Sequence, residues 1–175
     1  MVRYRSATPD DAPAVRDVAR RSWHATYDSL AGPETVSETV DEWYDPADLP
    51  EQIREATCFR VAEDATAGGT DAGADVDGGR VVGFVHGEYD GDGPARLPRL
   101  YLLPDQWRAG VGTSLLTTAE TALRGAGASD LELSVLVDND VGRTFYESRG
   151  FEPVERQHSN LGVDSLVMRK ELYED

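Results

Sequence analysis

Apolar and polar positions fall into legible periods at both ends of the chain and lose all period in one stretch between. VRYRSA, Val2 to Ala7, alternates and predicts a first strand. It runs into TPDD, where Thr8, Asp10 or Asp11 can cap a helix and Pro13 suits its first turn. Val15, Val18, Ala19 and Ser22/Trp23 then recur at three-to-four spacing, which predicts an amphipathic helix ending near Leu30, before AGP. A second short helix is expected from Pro33 to Trp43, and DPADLP breaks it.

Cys58 to Glu63 and Gly79 to Tyr89 read as two antiparallel strands. DATAGGTDAGADVDGG, between them, holds one large aliphatic residue, Val76, and no aromatic. Such a segment buries too little to offset its ordering entropy, so residues 64–79 are expected to form a flexible hairpin-tip insert rather than a domain linker. Its aspartates do not match the twelve-residue calcium loop. The second half is regular. RLPRLYLL reads as a strand and Gly110 to Gly125 as a helix, with Val111, Leu115, Ala119 and Ala122 on one stripe, flanked by Leu116 and Leu123. DLELSVLV is a strand, DNDVGRTFYESR a helix, and FEPVERQ and DSLVMRKEL two final strands. This order predicts one domain over 1–175, of mixed α/β class, its sheet covered by helices on both faces.

Composition changes the picture in three ways. The 175 residues suit one domain with a proper core, and 39% hydrophobic with 29% charged residues describes a folded, soluble chain. No apolar run approaches the roughly 20 residues of a membrane helix, and the N-terminus lacks the apolar centre of a signal peptide, so a cytoplasmic protein without a membrane partner is expected. There are 33 acidic against 17 basic residues, a net charge of −16, and Lys170 is the only lysine. An acidic, lysine-poor surface stays hydrated in molar salt, where screening shortens the reach of a charge to about 3 Å, and is read as halophilic. It also argues against nucleic acid, whose backbone calls for a basic patch. Cys58 is alone, which excludes a disulfide or a cysteine zinc site within one chain and leaves it a core residue; no metal is expected.

Candidate chemistry centres on QWRAGVG, Gln106 to Gly112. A helix opening at Gly110 leaves its first N–H groups unpaired at the positive end of the dipole, and glycines let an anion approach the backbone. By itself the pattern is equally a tight turn. No Lys-Ser/Thr follows, so it is not a nucleotide P-loop, and the glycines follow the fourth predicted strand, not the first, unlike a dinucleotide fingerprint. Some thirty residues on, VLVDNDVGRTFYESRGF sets Asn139, Gly142, Phe145, Tyr146, Gly150 and Phe151 in a strand–helix–strand frame.

With both segments in this order, the chain resembles the GCN5-related N-acetyltransferase (GNAT) superfamily, which pairs a Q/R-x-x-G-x-G/A loop with a downstream N-x-x-A-x-x-(F/Y)-Y-x-x-x-G-F pattern. Here these read WRAGVG and NDVGRTFYESRGF. The resemblance covers most of the chain and is strongest from Leu100 to Phe151. Trp107 stands where Gln or Arg is usual, and Gly142 replaces an alanine, a change that leaves room near the ligand. The resemblance implies a twisted, mostly antiparallel sheet of six or seven strands, splayed between the two that flank an acetyl-CoA site. It assigns acetyl-CoA, as co-substrate, to Leu102, Leu103, Trp107, Arg108, Ala109, Gly110, Val111, Gly112, Thr113, Asn139 and Arg143, with Arg149 a further candidate for its phosphates. Pro98 and Pro104 bracket the strand LYLL, consistent with pairing that stops on one side.

The reaction so implied is direct attack of an amine on the thioester. A strand N–H at Leu102 or nearby would steady the oxyanion, and Tyr146 would protonate the leaving thiolate. Asn139 suits either the pantetheine arm or the cap of its own helix. The strand before the loop, ARLPRL, lacks the acid many relatives carry there, which leaves the general base to Glu88, His86, Glu132 or a water. Trp23 and Tyr27 fall where the family builds its acceptor wall, and the acceptor is a small-molecule amine or a protein N-terminus. A non-catalytic acyl-CoA sensor or scaffold, a longer acyl chain and a homodimer all remain compatible with the sequence.

Overall fold

A computed structural model describes residues 2–65, 79–158 and 162–172. The strands are β1 (Val2–Ser6), β2 (Cys58–Asp64), β3 (Arg80–Glu88), β4 (Ala95–Leu102), β5 (Asp130–Leu136), β6 (Glu152–His158) and β7 (Asp164–Glu171). The helices are α1 (Ala12–Ala31), α2 (Pro33–Trp43), α3 (Leu49–Glu55), α4 (Val111–Gly125) and α5 (Asp140–Glu147). The flexible insert expected over 64–79 lies almost wholly outside the described residues.

The seven strands form one sheet in the order β1-β2-β3-β4-β5-β7-β6. Every neighbouring pair is antiparallel except β4 and β5, which run parallel. Helices cover both faces, as the alternation predicts. On one side, Trp23 of α1 meets Tyr101 of β4, and Tyr44, which ends α2, packs against Phe84 of β3. On the other, α4 buries Leu115, Leu116 and Leu123 to 1% exposure or less, each stabilising the fold by about 1.5–3 kcal/mol. Gly87 of β3 makes that approach possible, since a Cβ there would stand 3.0 Å from Leu123.

The helix α3 is absent from the sequence reading, which took DPADLP as a breaker. Leu49 and Ile53, one turn apart, are both buried, and Pro50 occupies the first turn, where its missing N–H costs no helical bond. Cys58 is a core residue at 5% exposure. At the far edge every residue of β6 is exposed, and Pro153 and a bulge between Pro153 and Glu155 interrupt the strand.

Candidate active site

The site begins where the sheet fails to close. β4 and β5 pair only at Ala95–Leu131 and Arg96–Glu132, and then diverge. Pro98, two residues beyond the last pair, has no N–H to offer a neighbour. Along its other edge β4 remains paired with β3 as far as Gly83–Leu102, and the Leu103 N–H donates to the Val82 carbonyl at 2.8 Å. Successive N–H groups of a strand point to opposite sides. The Leu102 N–H is therefore turned into the gap, whereas that of Leu103 is used within the sheet.

The gap leads into the glycine loop. Pro104–Gln106 forms a 3-10 turn, Trp107 follows with 37% of its surface exposed, and Ala109 N–H reaches back to Gln106 O at 3.4 Å. Arg108 has φ 66° and Gly110 φ 85°, both left-handed. Arg108 is the only non-glycine residue described in that region, a strain of about 1–3 kcal/mol. Gly110 caps α4 with no side-chain hydrogen bond. The N–H groups of Val111, Gly112 and Thr113, in the first turn, have no intrahelical acceptor and face outward at the positive end of the dipole. The two glycines serve different ends. A Cβ on Gly110 would meet nothing within 4 Å, so that position needs glycine for its backbone angle. One on Gly112 would stand 3.3 Å from the Phe145 ring, so that position needs glycine for contact with α5.

Asn139 caps α5, its Oδ1 accepting from Gly142 N–H at 3.0 Å. A Cβ on Gly142 would lie 2.7 Å from Asn139 Nδ2 and 3.1 Å from Val135. The space at Gly142 thus belongs to Asn139 and Val135; it was expected to be left for the ligand. Arg143 donates to the Val137 carbonyl at 3.0 Å, which ties it to the loop after β5. Arg149 joins the two motifs: its guanidinium sits 4.0 Å above the Phe145 ring and its Nε donates to Thr113 Oγ1 at 3.0 Å, in the first turn of α4. A positive charge is thereby fixed beside the unpaired N–H groups.

Three phenols, Tyr27 of α1, Tyr146 of α5 and Tyr101 of β4, lie close enough to shift one another's ionisation. Tyr146 packs edge-on to Phe145 and Phe151 at 5.1 and 5.5 Å. Burial pushes its hydroxyl well above the ordinary tyrosine value, and the nearby Tyr27 adds to the shift. Burial also raises Tyr27, against polar contacts from Tyr101 and Asn139 that partly offset it. Tyr101, on the alternate face of β4 from Leu102, is raised in the same way, with Tyr27, Tyr44 and Tyr146 contributing. Trp23 and Tyr27, expected from the sequence to line the acceptor, belong to a larger aromatic cluster. Trp23, 3% exposed, is its centre, with ring centroids 4.7 Å from Tyr27, 5.3 Å from Trp43 and 5.7 Å from Tyr101. Tyr101 was missed, although its place in LYLL, alternating with Leu102, carries the signal.

The three side chains considered for proton abstraction lie elsewhere. Glu88 and Glu132 line a hollow of about 240 Å³ with Tyr89, Asp90, Asp92, Pro94 and Arg96, at the paired end of β4 and β5. His86 is buried at 7% exposure, stacked on Phe59 at 5.1 Å and bonded through Nε2 to Glu88 Oε1 at 2.5 Å. Burial draws its imidazole toward the neutral form, against the opposing pull of Glu88.

A helix N-terminus with free N–H groups, a fixed arginine beside it and an unpaired strand edge leading away suit a long ligand with an anionic end and amide groups along its length, which describes coenzyme A. Among the described residues, no group of three or more His, Cys, Asp or Glu could hold a metal ion, and no helix is long and apolar enough to cross a membrane. Known proteins agree with this shape. The chain is 28% identical over 151 residues to a spermidine N(1)-acetyltransferase of Thermoplasma acidophilum, covering 86% of this chain and 88% of the relative. The crystal structure of the PaiA N-acetyltransferase from Thermoplasma acidophilum, in complex with coenzyme A, superposes with a TM-score of 0.81 at 25% identity, covering 98% and 99% of the two chains. The ribosomal-protein-S18-alanine N-acetyltransferase of Escherichia coli shares the fold, with a TM-score of 0.67 at 20% identity over 100% and 96% of the chains. Residues 23–151 match the Acetyltransferase (GNAT) family, and they include the open strand edge, the glycine loop and the α5 motif described above. The chain belongs to that family.

Proposed function

We propose that this protein transfers an acetyl group from acetyl-CoA to a primary amine by direct attack. The observation that carries the reading is the open edge of β4 at Leu102, whose side chain meets Gly112 in the first turn of α4 beside the Phe145 ring. The pyrophosphate is received by the N–H groups of Val111, Gly112 and Thr113, with Arg149 beside them; Arg108 is a further contact, and Trp107 is a partly exposed wall of the loop. The thioester supplies the acetyl group. The Leu102 N–H is turned toward the gap where the carbonyl oxygen gains charge, so it is the donor for the developing oxyanion. Tyr146, kept protonated by its raised pKa, gives its proton to the leaving sulfur. Asn139 caps α5 and lies near enough to Tyr27 to favour its ionised form.

The acceptor is a cationic small-molecule amine, with linear polyamines the first class to test. The spermidine-named relative supports this, and so does the aromatic cluster of Trp23, Tyr27, Trp43 and Tyr101, which suits an alkylammonium. Net charge −16 with a single lysine supports a protein that works inside a salt-rich cell. The test is thiol release from acetyl-CoA with spermidine, other diamines and short N-terminal peptides, at low and molar KCl, beside calorimetric titration of acetyl-CoA. Release with a diamine, strengthened by salt, is expected. Acetyl-CoA binding without release on any amine would assign the protein to sensing or scaffolding instead.

A further inference from the structure

The proposed reaction uses one group from each side of the gap. The Leu102 N–H belongs to β4, and Tyr146 belongs to α5, which follows β5. Strand pairing ends at Arg96–Glu132, well before Leu102, so backbone hydrogen bonds between β4 and β5 do not set the distance between donor and acid. On the α4 face of the sheet, Leu102 and Phe145 both lie against Gly112, where a Cβ would stand 3.4 Å from Leu102 Cδ1 and 3.3 Å from Phe145 Cε2. That apolar contact fills space but has no direction.

On the other face a directional link is present. Helix α1 packs on β3 and β4. Tyr27, on its buried side at 7% exposure, has its ring centroid 4.7 Å from that of Trp23, which stands 5.7 Å from Tyr101 of β4. The Tyr27 hydroxyl is in polar contact with Tyr101, the residue before Leu102, and also with Asn139, beyond the end of β5. Asn139 is itself held, because its Oδ1 accepts from Gly142 N–H at 3.0 Å and so opens the helix that carries Tyr146. One hydroxyl thus touches both sides of the gap. A phenol can donate to one partner while accepting from another, and hydrogen bonds fix orientation as well as distance. Burial raises the pKa of Tyr27, which keeps its proton available for that link. Tyr146 lies close enough for Tyr27 to add to the rise in its own pKa.

We propose that Tyr27 is a positioning residue: through Tyr101 on one side and Asn139 on the other, it sets the Tyr146 hydroxyl relative to the Leu102 N–H. The proposal rests on the acetyltransferase reading above. It gives the Tyr27 hydroxyl a task apart from that of its ring, which belongs to the aromatic cluster around Trp23. Oxyanion donor and acid act on the same thioester, and a misplacement of about 1 Å between such groups can cost about 10²-fold in rate.

Tyr27→Phe keeps the ring and removes the hydroxyl. With the amine on which the wild-type protein is most active, kcat should fall by about 10-fold, while KM for that amine and acetyl-CoA affinity stay within a factor of about two. Because the loss runs through the placement of Tyr146, the double variant Tyr27→Phe, Tyr146→Phe should be no slower than Tyr146→Phe alone. Losses that multiply in the double variant would overturn the proposal, as would wild-type kcat in Tyr27→Phe or a change confined to the KM of the amine. Should circular dichroism show Tyr27→Phe unfolded, Tyr101→Phe removes the same link from the β4 side and must give the same loss and the same cycle; unchanged kcat or multiplied losses there overturn the proposal equally. Wild-type protein that releases no thiol with any amine would overturn the transferase reading, and Tyr146→Phe with wild-type kcat the assignment of the acid; this proposal falls with either.

Discussion

Gly112, in the first turn of α4, lies directly against the ring of Phe145, in the middle of α5: a Cβ added to Gly112 would stand 3.3 Å from Phe145 Cε2 and 3.4 Å from Leu102 Cδ1. The glycine loop and the downstream motif, over thirty residues apart in sequence, are one packed unit, and Arg149 closes it by covering Phe145 and holding Thr113. Gly112→Ala should therefore lower both stability and acetyl-CoA affinity. Overpacking of this kind costs about 1–3 kcal/mol. Melting temperature and calorimetric Kd, measured on the same preparation, check the coupling; an affinity loss with an unchanged melt would deny it.

Gly110 should behave differently, because its surroundings are open and only its φ of 85° is demanding. Gly110→Val pays for a left-handed β-branched residue and should lose stability together with binding. Gly110→Asn tolerates the angle, so its melting temperature should stay close to wild type. Its side chain then occupies the approach to the α4 N–H groups, and acetyl-CoA affinity should fall several-fold. Titration of the two variants distinguishes an angle requirement from a space requirement.

Tyr146→Phe should reduce kcat by about 10²-fold and leave acetyl-CoA affinity nearly unchanged. The direction of the tyrosine shift adds a pH expectation. A general acid must be protonated, and burial holds Tyr146, the proposed acid, protonated past the ordinary tyrosine value of about 10. Wild-type kcat should then show no decline from this group up to that pH. A basic limb that starts near pH 8 and vanishes in Tyr146→Phe would contradict the assignment.

Near the other edge of the sheet, Arg5 bridges Asp11, at 2.8 Å, and Glu63, at 3.1 Å, and Arg3 adds a second contact to Glu63. Bonds from Arg5 hold the Glu63 carboxyl below its usual range. At Asp11 burial pushes upward, and the bonds from Arg5 and Thr8 together outweigh it. Depressed carboxylates contribute stability above their unfolded pKa values, and that contribution is lost as pH falls through the folded ones. Glu63→Gln should thus be less stable than wild type at pH 7, and the difference should close below roughly pH 4. Urea unfolding at a series of pH values reads it directly.

How far the sequence carried depended on whether a feature was local. Elements with a clean period, such as α4 and the strands on either side of it, are where the alternation puts them, and Pro98 foretold the divergence of β4 from β5. The helix α3 was obscured because Pro50 reads as a breaker until its place in a first turn is known. Gly142 could be seen to spare space but not for whom, since Asn139 and Val135 reach it only once the chain turns into α5. Tyr27 and Asn139 stand far apart in sequence. Their contact depends on how α1 lies across β4 and on where α5 begins, which no periodicity encodes.

The seam between β4 and β5 gives the sheet an unusual mechanical character. Only two residue pairs join β1-β2-β3-β4 to β5-β7-β6, so the backbone hydrogen-bond network is nearly two sheets sharing a short hem. A molecule lying in that seam, with amides facing both edges, would take the place of a missing strand. The donor would then be a temporary part of the architecture as well as a reagent, and each turnover would stitch the two halves together and release them.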